Sequence, residues 1–231
     1  MYDRLIPYNK GKSVANEGGL IMLDEIKGLL ENYEAKPLTN QQHFAVLVPL
    51  IKINDELHLL YEVRSKNISQ PGETSFPGGR VERGETYEEA AIRETMEELS
   101  LSKDSIQILG EMDYIVNERV IIRSFVGELK NIKVEEIQFN EEVEEVYTVP
   151  VSYFLTHDPV YYVAHVKLEH EEDFPFDRIP GGKKYNWKQG KHAVPFYTIN
   201  DRTLWGFTAN FTDRFIQLLK EHKNKFSSEN K

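Results

Sequence analysis

One stretch narrows the possible folds more than any other: Phe76 to Leu101, FPGGRVERGETYEEAAIRETMEELSL. Pro77-Gly78-Gly79 must be a backbone feature, because glycines serve where the chain turns sharply or another group comes close to the main chain. A helix start follows. Thr86 and Glu89 stand three apart, as in a capping box, and no Gly or Pro interrupts the run to Leu99. Ile92, Met96 and Leu99 recur at helical spacing and are expected to face a core. Glu94, Glu97 and Glu98 stand at i, i+3 and i+4, so their carboxylates converge on one side.

Gathered carboxylates repel, and each raises its neighbours' pKa unless a cation compensates. Hard cations such as Mg²⁺ take oxygen ligands and are commonly shared between a few carboxylates and substrate phosphates. The glycine turn can add a main-chain carbonyl, from Gly79, and Arg93 a fixed positive charge. Read this way, the stretch is a cradle for a metal-bound polyphosphate. The plainer alternative is a solvated acidic helix face.

Composition limits the rest. The chain has 231 residues, 40% of them hydrophobic and 11% aromatic, enough for one large domain with elaborations. A net charge of −10 counts against a nucleic-acid backbone as partner. With no cysteine there is neither a disulfide, a thiolate metal site nor a Cys nucleophile. No apolar run approaches the roughly 20 residues that span a bilayer, and MYDRLIPYNK lacks the apolar core of a signal peptide. A cytoplasmic protein without a membrane partner is expected; oligomeric state is not legible.

In chain order, residues 1–19 read as an irregular arm and Ile21 to Tyr33 as an amphipathic helix, closed by Lys36-Pro37. Residues 1–40 are thus taken as an N-terminal extension. His43 to Ile53 is a nearly continuous apolar β-run, expected to be buried on both faces. Asn54-Asp55 reads as a two-residue turn into a returning strand, Glu56 to Arg64. Beyond the central helix, Ile106 to Val116 and Val120 to Leu129 read as strands joined at Asn117-Glu118-Arg119. Glu135 to Glu145 is acidic enough to be a solvated loop or helix face. Ser152 to Leu155 is a short turn, and Val160 to Glu169 alternates as a strand. Glu171 to Gly190 is a polar excursion with Tyr185 and Trp187 among lysines, and His192 to Ile199 is another strand. Leu204, Phe207, Phe211, Phe215, Leu218 and His222 mark a final helix, with 223–231 as a frayed, disordered tail. The seven histidines show no pair at ligand spacing.

Gly79, then five residues, Glu85, then seven, and Arg93-Glu94-Thr95-Met96-Glu97-Glu98 resembles the Nudix box. One position departs: Ser100 stands where that pattern has glycine, followed as expected by an apolar residue, Leu101. Upstream, Leu59 to Ser65, Pro71-Gly72-Glu73 and Phe76-Pro77-Gly78-Gly79 resemble the motif of the coenzyme A pyrophosphatase branch of that family. The basic residue that branch has a few positions after its Arg-Ser pair lacks a clean counterpart; Ser69 stands near there. Arg202 to Ala209, RTLWGFTA, resembles the (I/L)WGxTA helix start of the same branch.

The resemblance implies an α/β fold, the Nudix-type α/β/α sandwich with a mixed sheet, over residues 41–222. It implies hydrolysis of a diphosphate in coenzyme A or its derivatives, giving 3′,5′-ADP and a 4′-phosphopantetheine moiety. Glu94, Glu97, Glu98 and the Gly79 carbonyl would hold Mg²⁺ or Mn²⁺. One of these carboxylates, or Glu142 from the acidic segment before Val149-Pro150, would take the proton of the attacking water. Arg64, Ser65, Gly78 and Gly79 would meet substrate, and Arg93 and Glu85 would hold the box in shape. Two other readings stay open: a Nudix diphosphatase for ADP-ribose, NADH or a nucleoside triphosphate, and a nucleotide-sensing Nudix module without turnover.

Overall fold

The computed structural model describes residues 23–229, with side chains as far as 225. Among the described residues, those up to 38 and those from 39 on form separate compact units. In the first, helix α1 spans Leu23–Glu31, with a Lys27–Glu31 ion pair one turn apart. The irregular arm at 1–19 lies outside the described residues.

The second unit begins with β1 (Gln42–Ile53) and β2 (Glu56–Arg64). Asn54 and Asp55 join them with φ of 48° and 66°, the paired positive values of the turn that matches the twist of a hairpin. Then come β3 (Thr74–Ser75), β4 (Gly78–Arg80), α2 (Tyr87–Glu98), β5 (Ile106–Glu111), β6 (Ile115–Val116) and β7 (Val120–Leu129). The chain continues through β8 (Val143–Pro150), α3 (Val151–Thr156), β9 (Val160–Val166), β10 (Gly190–Ile199), β11 (Arg202–Trp205) and α4 (Gly206–Glu229).

β1 is the spine. It pairs parallel with β7 over ten residue positions, Gln42 with Val120 to Ile51 with Leu129, and antiparallel with β2 and β4. β8 and β3 add to β2, while β5 and β6 add to β7, so the sheet is mixed. Alternation then divides β1 between two cores. Ala45, Leu47 and Ile51 join Leu60, Phe125 and Leu129 under α2. Val48 and Leu50 join Leu59, Tyr61 and Val149 under α3 and α4, which contribute Phe154, Phe211, Phe215 and Ile216. This α/β/α sandwich explains the unbroken apolar run of β1: both of its faces are covered.

Several expectations are corrected. The side of α2 that meets the sheet is lined by Ala91, Thr95, Glu98 and Leu99, whereas Ile92 and Met96 are only partly buried at its margin. Small residues let the helix sit close, and Thr95 satisfies its buried hydroxyl by donating to the Ala91 carbonyl at 2.7 Å. Glu98 therefore points inward rather than lying on a solvated face. The Ile106–Val116 strand is two pieces, and Asn117 closes the turn after them by accepting from the Arg119 and Val120 N–H groups. Arg202–Trp205 is a strand of a second, three-stranded sheet with β9 and β10, and the last helix starts at Gly206. That helix runs on to Glu229, so 223–229, read as a disordered tail, is helical; 230 and 231 lie outside the described residues. In the 171–190 excursion, Phe174, Phe176, Tyr185 and Trp187 gather with the preceding His170 into one ring cluster around two short helical turns. No helix among the described residues is long and apolar enough to cross a membrane.

Candidate active site

The site is built where β4 passes the side of α2. Thr86 and Glu89 form the expected capping box: the Thr86 hydroxyl accepts from the Glu89 N–H at 3.2 Å, and the Glu89 carboxylate accepts from the Thr86 N–H at 2.9 Å. That fixes the start of the helix and hence the register of its carboxylates. The two glycines before it are required by crowding. A Cβ at Gly79 would fall inside the Glu94 carboxylate, and one at Gly78 against the Ala45 carbonyl and Val46.

Arg93 is the clamp. Its guanidinium donates to Glu85 at 2.8 and 3.1 Å, to Glu94 at 2.8 Å, to Glu97 at 3.4 Å and to the Arg80 carbonyl at 3.0 Å. One planar fork thus joins β4, the loop after it and two carboxylates of α2, a geometry lysine cannot reproduce. The bond to Arg93 is the chief cause of a lowered Glu85 pKa.

The three helix carboxylates occupy different surroundings. Glu98 is 4% exposed and accepts from the Gly78 N–H at 2.8 Å. Burial, and next the charge of Glu62, push its carboxyl up to about 9. Glu94 is raised too, chiefly by burial and against the pull of Arg93. Glu97 is exposed.

Glu142 precedes β8, and two main-chain bonds fasten its segment to the site. Asn140 N–H donates to the Glu98 carbonyl at 3.0 Å, and Ser65 N–H donates to the Glu142 carbonyl at 2.8 Å. The Glu142 charge contributes to raising Glu62, Glu94 and Glu98. The residue picked from the acidic run is therefore close enough to act on the box.

Arg64 and Ser65 build the loop that follows β2. Arg64 donates from Nε to the Ser69 carbonyl at 2.9 Å and from Nη2 to Ser69 Oγ at 3.5 Å. Its main chain exchanges bonds with Gly72 and Glu73. Ser65 is buried, with its hydroxyl accepting from the Asn67 N–H at 3.4 Å. Farther on, Thr208 Oγ1 donates to the Thr74 carbonyl at 3.2 Å, latching the start of α4 to β3.

Sequence reading missed Glu62. It lies on β2, 2% exposed, with its carboxyl pushed up to about 7 by burial. Its Oε1 accepts from Ser75 Oγ at 2.9 Å, while Oε2 is buried without a hydrogen-bond partner. The signal was available: strand alternation puts Glu62 on the same face as Leu60, the face under α2.

Two observations fit a divalent cation. A partnerless, buried carboxylate oxygen is the kind of group a cation satisfies, and after burial the charge of Glu62 is the next cause that raises the Glu98 carboxyl. Among the described residues, no three carboxylates or imidazoles already stand at ligating positions. Arg93 spans Glu94 and Glu97 in this arrangement.

A family model for the NUDIX domain matches residues 41–158, half of the chain, which includes Glu62, Arg64, Gly78, Gly79, the α2 carboxylates and Glu142. The chain belongs to the Nudix family. Nudix hydrolase 3 of Caenorhabditis elegans is 25% identical over 180 residues, covering 76% of this chain and 72% of that protein. The peroxisomal coenzyme A diphosphatase NUDT7 of Mus musculus is 35% identical over 122 residues, 52% of this chain and 51% of the mouse protein. This Nudix chain thus matches about half the length of the mouse relative. Among solved structures, a MutT/nudix family protein from Enterococcus faecalis aligns with a TM-score of 0.48 at 17% identity, covering 87% of this chain and 70% of that one. A C. elegans Ap4A hydrolase aligns with a TM-score of 0.42 at 24% identity, covering 47% and 80%.

Proposed function

We propose that this Nudix protein is a divalent-metal-dependent hydrolase of coenzyme A or its derivatives, releasing 3′,5′-ADP and 4′-phosphopantetheine or its acyl form. What carries the reading is the convergence on one place of Gly78, Gly79, Glu94, Glu97, Glu98 and Glu142, with one arginine clamping the box. The substrate class rests on the mouse coenzyme A diphosphatase as a relative, and on the Arg64-Ser65 loop and Phe76-Pro77-Gly78-Gly79 turn in one chain.

Glu94, Glu97, Glu98 and the Gly79 carbonyl would hold Mg²⁺ or Mn²⁺. When bound, such ions offset developing phosphate charge and lower the pKa of an attacking water. The chain's own residues do the rest. Arg93 keeps Glu94 and Glu97 side by side, and the Gly78 N–H fixes Glu98. Glu142, exposed and tied to the end of α2 through Asn140, would accept the water's proton. Arg64, at the mouth of the 65–72 loop, would meet a substrate phosphate.

The test is a panel of coenzyme A, acyl-coenzyme A, ADP-ribose, NADH and nucleoside triphosphates with Mg²⁺ or Mn²⁺, with products resolved by chromatography. Coenzyme A compounds should be cleaved fastest. Cleavage of ADP-ribose, NADH or a triphosphate with coenzyme A untouched would move the chain to another Nudix substrate class. No turnover of any would favour a sensing module, a reading that retention of every box carboxylate argues against.

A further inference from the structure

We propose that Glu62 is an additional carboxylate of the divalent-cation site, reaching the ion from the sheet while Glu94, Glu97 and Glu98 reach it from α2. The proposal rests on the reading that the box glutamates take a divalent cation.

The first ground is the orphaned oxygen. Glu62 is 2% exposed, its Oε1 is held by Ser75, and its Oε2 has no hydrogen-bond partner. Buried polar atoms are nearly always paired, because leaving one unpaired forfeits its hydration without return. A carboxylate oxygen that is buried and unpaired is matched by an ion better than by packing. Replacing such a group with an apolar residue of similar size is often neutral or stabilising, so a purely structural role gives little reason for a glutamate here.

The second ground is placement. Glu62 and Glu98 grip opposite ends of one short segment: Glu62 binds the Ser75 hydroxyl, and Glu98 binds the Gly78 main chain. Both belong to the layer between the sheet and α2. Neither forms an ion pair among the described residues. Arg93 spends its guanidinium on Glu85, Glu94, Glu97 and Arg80, and Arg64 donates to Ser69. Two buried carboxylates in this layer therefore lack an ion pair of their own, the Arg64 charge offsetting that of Glu62 only in part, and a hard, oxygen-seeking cation supplies one. The bond from Ser75 aims the carboxylate, as outer partners of a metal ligand commonly do.

The experiment is Mn²⁺ binding to the full chain, followed by electron paramagnetic resonance and calorimetry, with no substrate present. Glu62→Gln preserves size and an acceptor for Ser75, and is expected to weaken Mn²⁺ binding at least about tenfold, with the metal-free melting temperature unchanged or raised. Ser75→Ala, which only releases the carboxylate, should weaken binding by about threefold or more. It carries the test if Glu62→Gln does not fold. Mn²⁺ affinity within twofold of wild type in whichever variants fold would overturn the proposal. Glu98→Gln separates the two failures. If wild type binds Mn²⁺ and Glu98→Gln does not, while Glu62→Gln binds normally, only the role of Glu62 falls. If wild type binds no Mn²⁺, or Glu98→Gln binds it as wild type does, the reading of the box itself falls, and the proposal with it.

Discussion

The main-chain N–H of Gly78 donates to the buried carboxylate of Glu98 at 2.8 Å, so the glycine turn and the last turn of α2 are a single unit. A shift of either stretches this bond. This coupling, rather than the number of acidic residues, sets this helix apart from an ordinary solvated acidic one.

Gly79→Ala tests the close approach of β4 to α2. The added methyl would displace the Glu94 carboxylate. Misplacing a catalytic group by about 1 Å commonly costs on the order of 10²-fold, so kcat/KM should fall by about that much while the circular dichroism spectrum is retained. Activity within a few-fold of wild type would show that Glu94 need not hold its position.

The paired carboxylates give the metal-free protein a signed pH dependence. Glu62 and Glu98 have folded values raised to about 7 and about 9, above the ordinary carboxylate range. Their contribution to stability is therefore complete below that range and is lost as pH rises through the folded values. With a chelator present, the melting temperature should decline from about pH 5 to pH 9, and Glu98→Gln should flatten the decline. Identical slopes in the two proteins would contradict this assignment.

Ser100 stands where the box pattern has glycine, and its φ is +51°, the left-handed conformation that glycine adopts at little cost. The backbone requirement survives although the residue does not. Ser100→Gly should stabilise the protein by about 0.5–1 kcal/mol in urea titration, without altering activity. A loss of stability would mean that the Ser100 side chain does more than tolerate the turn.

Arg64 tests substrate recognition. If it meets the 3′-phosphate, wild type should prefer coenzyme A over 3′-dephospho-coenzyme A, and Arg64→Ala should lose most of that preference. The comparison is of kcat/KM for both substrates in both proteins. Equal use of the two by wild type would remove Arg64 from that role and leave diphosphate hydrolysis in place.

Much of the fold was legible because its signals are local. The β1–β2 hairpin follows from Asn54-Asp55 between two apolar runs, and the start of α2 from Thr86 and Glu89. β7 was bounded correctly at Val120 and Leu129 because an asparagine turn precedes it. What escaped depends on tertiary placement. Ile92 and Met96 have the right spacing for a core face, but the close seat that Ala91 and Thr95 allow turns α2 so that Glu98 is buried instead. Glu62 passed unnoticed because a single acid in an apolar strand reads as its solvent side until the neighbour on that face is known. The tie from Asn140 to Glu98, which brings the Glu142 segment to the box, joins residues far apart in sequence and leaves no periodic trace.

The most direct measurement of the central claim is hydrolysis of coenzyme A followed by chromatography, with Mn²⁺ or Mg²⁺ and then with excess chelator, in wild type, Glu97→Gln and Glu98→Gln. Wild type should release 3′,5′-ADP and 4′-phosphopantetheine in equal amounts, only with the cation present. Chelation should abolish turnover without unfolding the chain, since the core beneath α2 is made of side chains that need no metal. Each substitution should lower the rate by roughly 10²–10³-fold, the loss of about 3–4 kcal/mol of charge stabilisation. Turnover that survives chelation, or variants within a few-fold of wild type, would contradict the account.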